Sequence, residues 1–264
     1  MKTKCLLCTA VTETGQGFYD HLEDVHMMPI RRVRIGADGR PREDSMVRLS
    51  PAWPIINTKS ENTKEGKNCT IVFNEEIRYV TKLRTGYLFS HSINLFNEIT
   101  NFVNSLKPEI KSHIKFRVKF NPGLDAEKKF SDLFGKKSID KVNLNNSFQK
   151  SISNSKLIIS TYAQTAFSEA MCANIPTITI MKNNHWILSD SSSLMFETLK
   201  KNKIAFDDFD EAKIHIDKYW DNLDLWWKSD NVQLTRKKYL ESFFNVKPDW
   251  FKEWSDFIHS QHKL

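Results

Sequence analysis

Ser160, Thr161, Thr165 and Glu169 lie close together in the chain, and their types suit phosphate chemistry. The segment SKLIISTYAQTAFSEAMCANIPTITI reads as an apolar strand ending at Ser160–Thr161, a short turn, and a helix opening near Thr165. Free N–H groups and the helix dipole at such an opening attract phosphate. The hydroxyls of Ser160, Thr161 and Thr165 add donors. Glu169 follows Thr165 by four residues on the same helix face, where its carboxylate can accept bonds from ribose hydroxyls. Ile175–Pro176 ends the helix and begins the next strand. A second set, Cys5, Cys8, His21 and His26, has the spacing C-x2-C-x12-H-x4-H. That spacing suits tetrahedral zinc, with the CxxC on a tight knuckle and Phe18–His26 as a helix bringing both histidines to the metal.

The elements that must position the first set follow from periodicity. Cys69–Glu75 is a β-branched apolar run, and His113–Phe120 alternates; both predict strands. Lys156–Thr161 and Pro176–Ile180 predict two more. Ser92–Leu106 carries a helical stripe from Ile93 to Leu106, capped by Ser92 and ended before Pro108. AEKKFSDLF, SFQKSISNS, Thr165–Asn174, SLMFETLKKNK, FDEAKIHIDKYWDNLDLWW and LTRKKYLESFF predict helices. Short apolar strands alternating with helices argue for an α/β fold, a Rossmann-like doubly wound parallel sheet with C-terminal helices. Ligands in such sheets bind beyond the carboxyl ends of the strands.

The central segment resembles the donor-site signature of B-type glycosyltransferases, in which a helix bearing Glu-Ala is followed by a small turn and Pro. More narrowly, the chain resembles a family of transferases of bacterial surface-carbohydrate biosynthesis, through RYVTKLRTG, KFRVKFNPGLDAEKKF, ISTYAQTAFSEAMCANIPTI, NNHW and YWDNLDLWW. The resemblance implies donor-nucleotide contacts at Ser160, Thr161, Thr165 and Glu169. It implies that Arg117 and Lys119, at the end of the second strand, meet phosphate or a sugar carboxylate. It also implies that His185 and Trp186 line the same cleft. Asn174-Ile175 stands where the wider group carries Gly before Pro. The N-terminal segment resembles a two-Cys-two-His zinc finger, with Thr12 at a usual aromatic position and Phe18 at a usual Leu.

Plain structural alternatives stand beside each role. Ser160 and Thr161 could cap the helix, Glu169 could face solvent, Arg117 could serve an ion pair, and His185 could be a satisfied loop residue. Trp220, Trp226 and Trp227, at helical spacing with Tyr219, read as packing. Asp221, Asp224 and FDDFDE read as a solvated face with helix caps. No DxD pair follows a predicted strand, which points to leaving-group stabilisation by the helix dipole.

The sequence sets residues 1–34 as the finger-like segment, 35–67 as a linker, and 68–264 as the nucleotide-sugar-binding domain. The first fifty residues hold six arginines, two lysines and no asparagine, whereas the rest hold four arginines and 27 lysines. Such a switch argues for two origins. No apolar run reaches the ~20 residues of a membrane span, and the N-terminus lacks a signal-like stretch. A cytoplasmic protein is expected, with peripheral contact at the inner membrane face as an option. Cys69 is expected at a strand edge and Cys172 as a buried helix thiol. The net charge of +7 suits polyanions or a solubilising surface.

The expected partners are a nucleotide sugar as donor, a glycan or lipid-linked acceptor, and a partner chain supplying the acceptor half, for which residues 1–67 leave no room. The alternatives are a zinc-finger protein that binds nucleic acid or regulates, and a non-catalytic remnant.

Overall fold

The structure is a computed structural model, and it describes residues 3–4, 11–12, 66–75, 89–119, 123–142, 147–182, 188, 190–247 and 249–261. The chain divides into two compact units: Trp53–Asn245, and Met1–Ala52 together with Val246–Leu264. The last segment thus groups with the N-terminal one, whereas the sequence reading kept it with the α/β domain.

In the larger unit, five parallel strands form one sheet: β1 (Asn68–Asn74), β2 (Ile114–Lys119), β3 (Ser155–Ser160), β4 (Thr177–Ile180) and β5 (Ala205–Phe206). Their order is β2-β1-β3-β4-β5. The connection leaving β1 runs to one edge and those leaving β3 and β4 run to the other. The carboxyl ends of β1 and β3 therefore flank the switch point of a doubly wound, Rossmann-like sheet.

Between the strands run α1 (Phe89–Ser105), α2 (Pro108–Lys111), α3 (Ala126–Phe134), α4 (Phe148–Ser153), α5 (Thr165–Cys172) and α6 (Asp190–Lys201). After β5 come α7 (Phe209–Tyr219), α8 (Asp224–Trp227) and α9 (Asp230–Phe243). α1 begins three residues before Ser92, so that serine is buried in the first turn and is no cap; Ile93 is exposed and off the stripe.

The strands are apolar on both faces, as helix-covered parallel strands must be. Cys69, Ile71, Phe73, Phe116 and Ile159 join the large core, and Phe116 stacks on Phe130 of α3 with centroids 4.1 Å apart. Val72 and Ile158 point the other way and meet Ile152, Tyr162 and Ala170. Cys69 is the second residue of β1, a strand flanked on both sides, and burial pushes its thiol pKa up. Cys172 is half-buried at the end of α5. Trp220, Trp226 and Trp227 are buried in the large core, and Asp208 caps α7 by accepting from Glu211 N–H at 2.8 Å.

The linker's last residues belong to the fold. Lys67 and Asn68 both donate backbone N–H to Asn154 O at 3.0 Å, and a Cβ on Gly66 would meet the Ser155 carbonyl at 2.3 Å. The smaller unit contains an antiparallel pair, Thr3–Lys4 with Val11–Thr12, and α10 (Trp250–Gln261), a helix that the sequence reading did not place.

Asn174 explains the departure from Gly before Pro. It follows α5 at φ 57°, the left-handed region that Asn tolerates best after Gly. Its Oδ1 accepts from Trp227 Nε1 at 3.0 Å and from Gln233 Nε2 at 3.2 Å, bonds that Gly could not make. Asn174→Ala is expected to destabilise the protein by about 2 kcal/mol and Asn174→Gly by about half that, measured by urea unfolding.

Candidate functional site

The turn after β3 is built by the two residues that the sequence nominated there. Ser160 Oγ donates to the Tyr162 carbonyl, and Thr161 Oγ1 donates to Val72 O at 3.1 Å. A hydroxyl has one hydrogen to donate, so both are committed to backbone: Ser160 closes the turn and Thr161 ties it to β1. Ala163 N–H reaches Met181 Sδ, just past β4, at 3.2 Å. α5 then opens at Thr165. Gln164, its N-cap, makes no side-chain cap bond, and Thr165 is exposed. The groups left to meet an anion are the N–H groups of the first turn and the Thr165 hydroxyl.

Glu169 lies one turn further along, and it is not a solvent-facing residue: it is 4% exposed. Its Oε2 is buried with no hydrogen-bond partner. Other carboxylates with such an oxygen, Glu98, Asp207 and Asp217, are each paired with a lysine; Glu169 has no ion pair among the described residues. Burial raises its pKa from 4.5 to about 7, and the positive charge of Arg117 opposes part of that rise.

Arg117 is the structural ion-pair partner that one reading of the sequence allowed. It donates from Nη1 to Asp140 Oδ2 at 3.2 Å and to Ser151 Oγ at 2.8 Å, with its guanidinium over the Phe148 ring at 5.6 Å. Its charge reaches Glu169, while its hydrogen bonds fix α4. Lys119 ends β2 and is exposed. His185 and Trp186 lie outside the described residues, as do Cys5, Cys8, His21 and His26.

Sequence reasoning missed Glu75. Directly after β1, its carboxylate accepts from the backbone N–H groups of Leu124, Asp125 (2.9 Å) and Ala126 (3.1 Å), capping α3 from fifty residues away. The available signal was its place, an acid just beyond a strand at the switch point. A cavity of about 280 Å³ was also missed. It lies beyond the carboxyl ends of β4 and β5, lined by Met181, Leu188, Phe196 and Phe206 together with Lys182, Ser193, Glu197 and Lys200. Ser160, Thr161, Thr165 and Glu169 do not line it; Met181 joins it to their turn.

A family model described as LIC12162 family transferase matches residues 43–258. The chain belongs to this family. The LIC12162-family match takes in the whole sheet and begins inside the stretch read as a linker, leaving the CxxC and both histidines outside it. The structure is also similar to the C-terminal domain of a glycosyl transferase group 1 family protein (LpcC) from Francisella tularensis. That likeness covers 75% of this chain and 97% of that one, at 11% identity and a TM-score of 0.39. No curated protein sequence matches. Among the described residues no helix is long and apolar enough to cross a membrane.

The strained state of Glu169 has a measurable sign. A carboxyl whose pKa rises from 4.5 to about 7 on folding holds its proton more tightly in the folded state. Its contribution to stability is full below pH 4.5 and is lost as pH rises through 7. Glu169→Gln is therefore expected to stabilise this LIC12162-family protein at pH 8 by on the order of 2–3 kcal/mol, and to change little at pH 4. Urea unfolding at the two pH values checks this.

Proposed function

We propose that the larger unit is the donor half of a glycosyltransferase that takes its sugar from a nucleotide and serves surface-polysaccharide biosynthesis. The observation that carries the reading is Glu169, a buried carboxylate with an unpartnered oxygen one turn inside an uncapped helix opening at a strand's carboxyl end. A nucleotide diphosphate would place phosphate on the N–H groups at the start of α5, where the dipole stabilises the charge that grows on the leaving group. A ribose hydroxyl would donate to Glu169 and satisfy the orphaned oxygen. The cavity beside Met181, where Leu188, Phe196 and Phe206 stand with Lys182, Ser193, Glu197 and Lys200, has room for the base. Membership of a transferase family supports the reaction class, and the likeness of the central segment to B-type donor signatures supports the sugar. The acceptor, a glycan or lipid-linked sugar, and the general base would come from a partner chain or a further domain.

Two outcomes follow for nucleotide binding. In a thermal-shift panel of nucleotides and nucleotide sugars, one base class is expected to stabilise the wild type by ~2.7 kcal/mol at ~100 times its dissociation constant. Glu169→Ala should lose most of that shift, and a panel that shifts neither protein would sink the reading. Because the ribose bond favours the ionised carboxylate, binding should release a proton near neutrality. Affinity should therefore rise with pH through about 7 and level off above it.

For the smaller unit we infer a structural zinc held by Cys5, Cys8, His21 and His26. Support comes from the antiparallel pairing of Thr3–Lys4 with Val11–Thr12, the residues that flank the CxxC in the sequence. A metal assay of the purified chain is expected to give one zinc per chain, lost in Cys8→Ser; zinc-free wild type would end the proposal, and salt-sensitive DNA binding would turn it towards nucleic acid.

A further inference from the structure

A second cavity, of about 430 Å³, lies at the opposite end of the sheet, where Asn202 and Lys203 lead into β5. It is far from the strand ends that the proposed donor site uses, and its lining is of a different kind. His215 of α7 forms part of its lining and is 8% exposed, and its Nε2 is buried with no hydrogen-bond partner. The imidazole sits among rings: its centroid is 4.9 Å from that of Tyr219 and 4.6 Å from that of Trp226, with the Trp226 plane turned at 83°. Three lysines, Lys201, Lys203 and Lys218, stand around the opening. Lys203 is paired with Glu211 at 3.3 Å. Among the described residues Lys201 and Lys218 have no carboxylate partner, and Lys218 Nζ lies 4.9 Å over the Tyr219 ring.

We propose that this cavity is a non-catalytic binding site for an acidic saccharide, a sugar or short glycan bearing carboxylate or phosphate. The volume falls in the range of small-ligand pockets, roughly 300–1,000 Å³. Lysines without carboxylates supply the attraction for the acid. The half-buried Tyr219, with Trp226 beside it in the lining, supplies apolar surface for a sugar ring's C–H face. Nε2 of His215 supplies one directional bond to a sugar hydroxyl, and in gaining it loses an unsatisfied buried polar atom. Burial, then the charges of Lys203 and Lys218, hold the His215 pKa down to about 4, so the ring is neutral at pH 7 and can serve as donor or acceptor according to its tautomer. A neutral ring below a basic rim suits a ligand whose acid lies at one end and whose hydroxyls lie at the other. The site stands apart from the donor reading: it shares no residue with Glu169, Thr165 or the turn after β3.

The test is calorimetric titration of the full chain, at low and at 0.3 M salt, with trigalacturonate, neutral maltotriose and inorganic phosphate as probes. Trigalacturonate is expected to bind, to weaken with salt, and to lose at least tenfold in affinity in Lys201→Glu/Lys218→Glu, whose substitutions are at exposed positions that leave the core intact. His215→Phe, which keeps the ring packing and removes Nε2, should weaken it several-fold while circular dichroism stays unchanged. Equal binding of maltotriose, phosphate binding as tightly as the acidic sugar, or trigalacturonate binding unchanged in the double variant would overturn the proposal, as would no binding at all.

Discussion

A buried polar layer on the second face of the sheet is the constraint around which the rest is arranged. Polar groups removed from water each need a partner, since an unsatisfied one costs ~1–3 kcal/mol. Thr70 donates to Ser155 Oγ at 2.6 Å, and Ser155 passes its own hydrogen to Ser151 O at 2.6 Å. Ser151 in turn donates to Asp140 and accepts from Arg117. These bonds join β1, β2, β3 and α4, so the short α4 is held by hydrogen bonds as well as by Ile152 in the smaller core. Thr161 sews the end of β3 to β1 in the same way. The layer holds Arg117 by two bonds from Nη1, with its charge still felt at Glu169.

Glu169 is the exception that this layer tolerates. A carboxylate buried without an ion pair lowers stability at neutral pH, and the neighbouring guanidinium offsets only part of that loss. Leucine or glutamine at this position would suit the fold better on packing grounds alone. Local rules broken without a structural gain are expected where a site needs the broken group. Glu75 shows the contrast. It is as deeply buried, yet its two oxygens take three backbone N–H groups at the start of α3, and structure alone accounts for it.

Periodicity made most elements legible because each is a local property. AEKKFSDLF begins and ends where α3 does, and the alternation in HIKFRVKF gives β2 to within a residue at each end. What the sequence reading lost depended on pairing between distant segments. β5 has two residues, too few for any pattern, and exists because β4 offers it an edge. That β1 is flanked on both sides is not written in the strand itself. Likewise, nothing near Glu75 announces a helix fifty residues later, and Arg117 could be weighed between ligand and ion pair only once Asp140 and Ser151 were placed beside it. At the site, the residue types were legible but their duties were not: Ser160 and Thr161 build the turn that the backbone N–H groups of α5 present.

The two ends of the sheet differ electrostatically for a reason that bears on both sites. Helices that follow parallel strands point their N-termini to the carboxyl end, so backbone dipoles make that end positive without any lysine. The amino end receives helix C-termini and is negative by the same account. Basic side chains there first serve as complements to the dipoles, as Lys201 does in the last turn of α6 and Lys218 in the last turn of α7. That accounts for most of the basic rim of the second cavity, and had the cavity held lysines alone it would need no ligand. It does not account for an imidazole beneath them with a buried nitrogen left unused, nor for Lys203, which belongs to no helix and turns at φ 58° to enter β5. Dipole complementation is satisfied at the helix ends; the unsatisfied group is at the bottom of the cavity, and a ligand hydroxyl is the partner that its position admits.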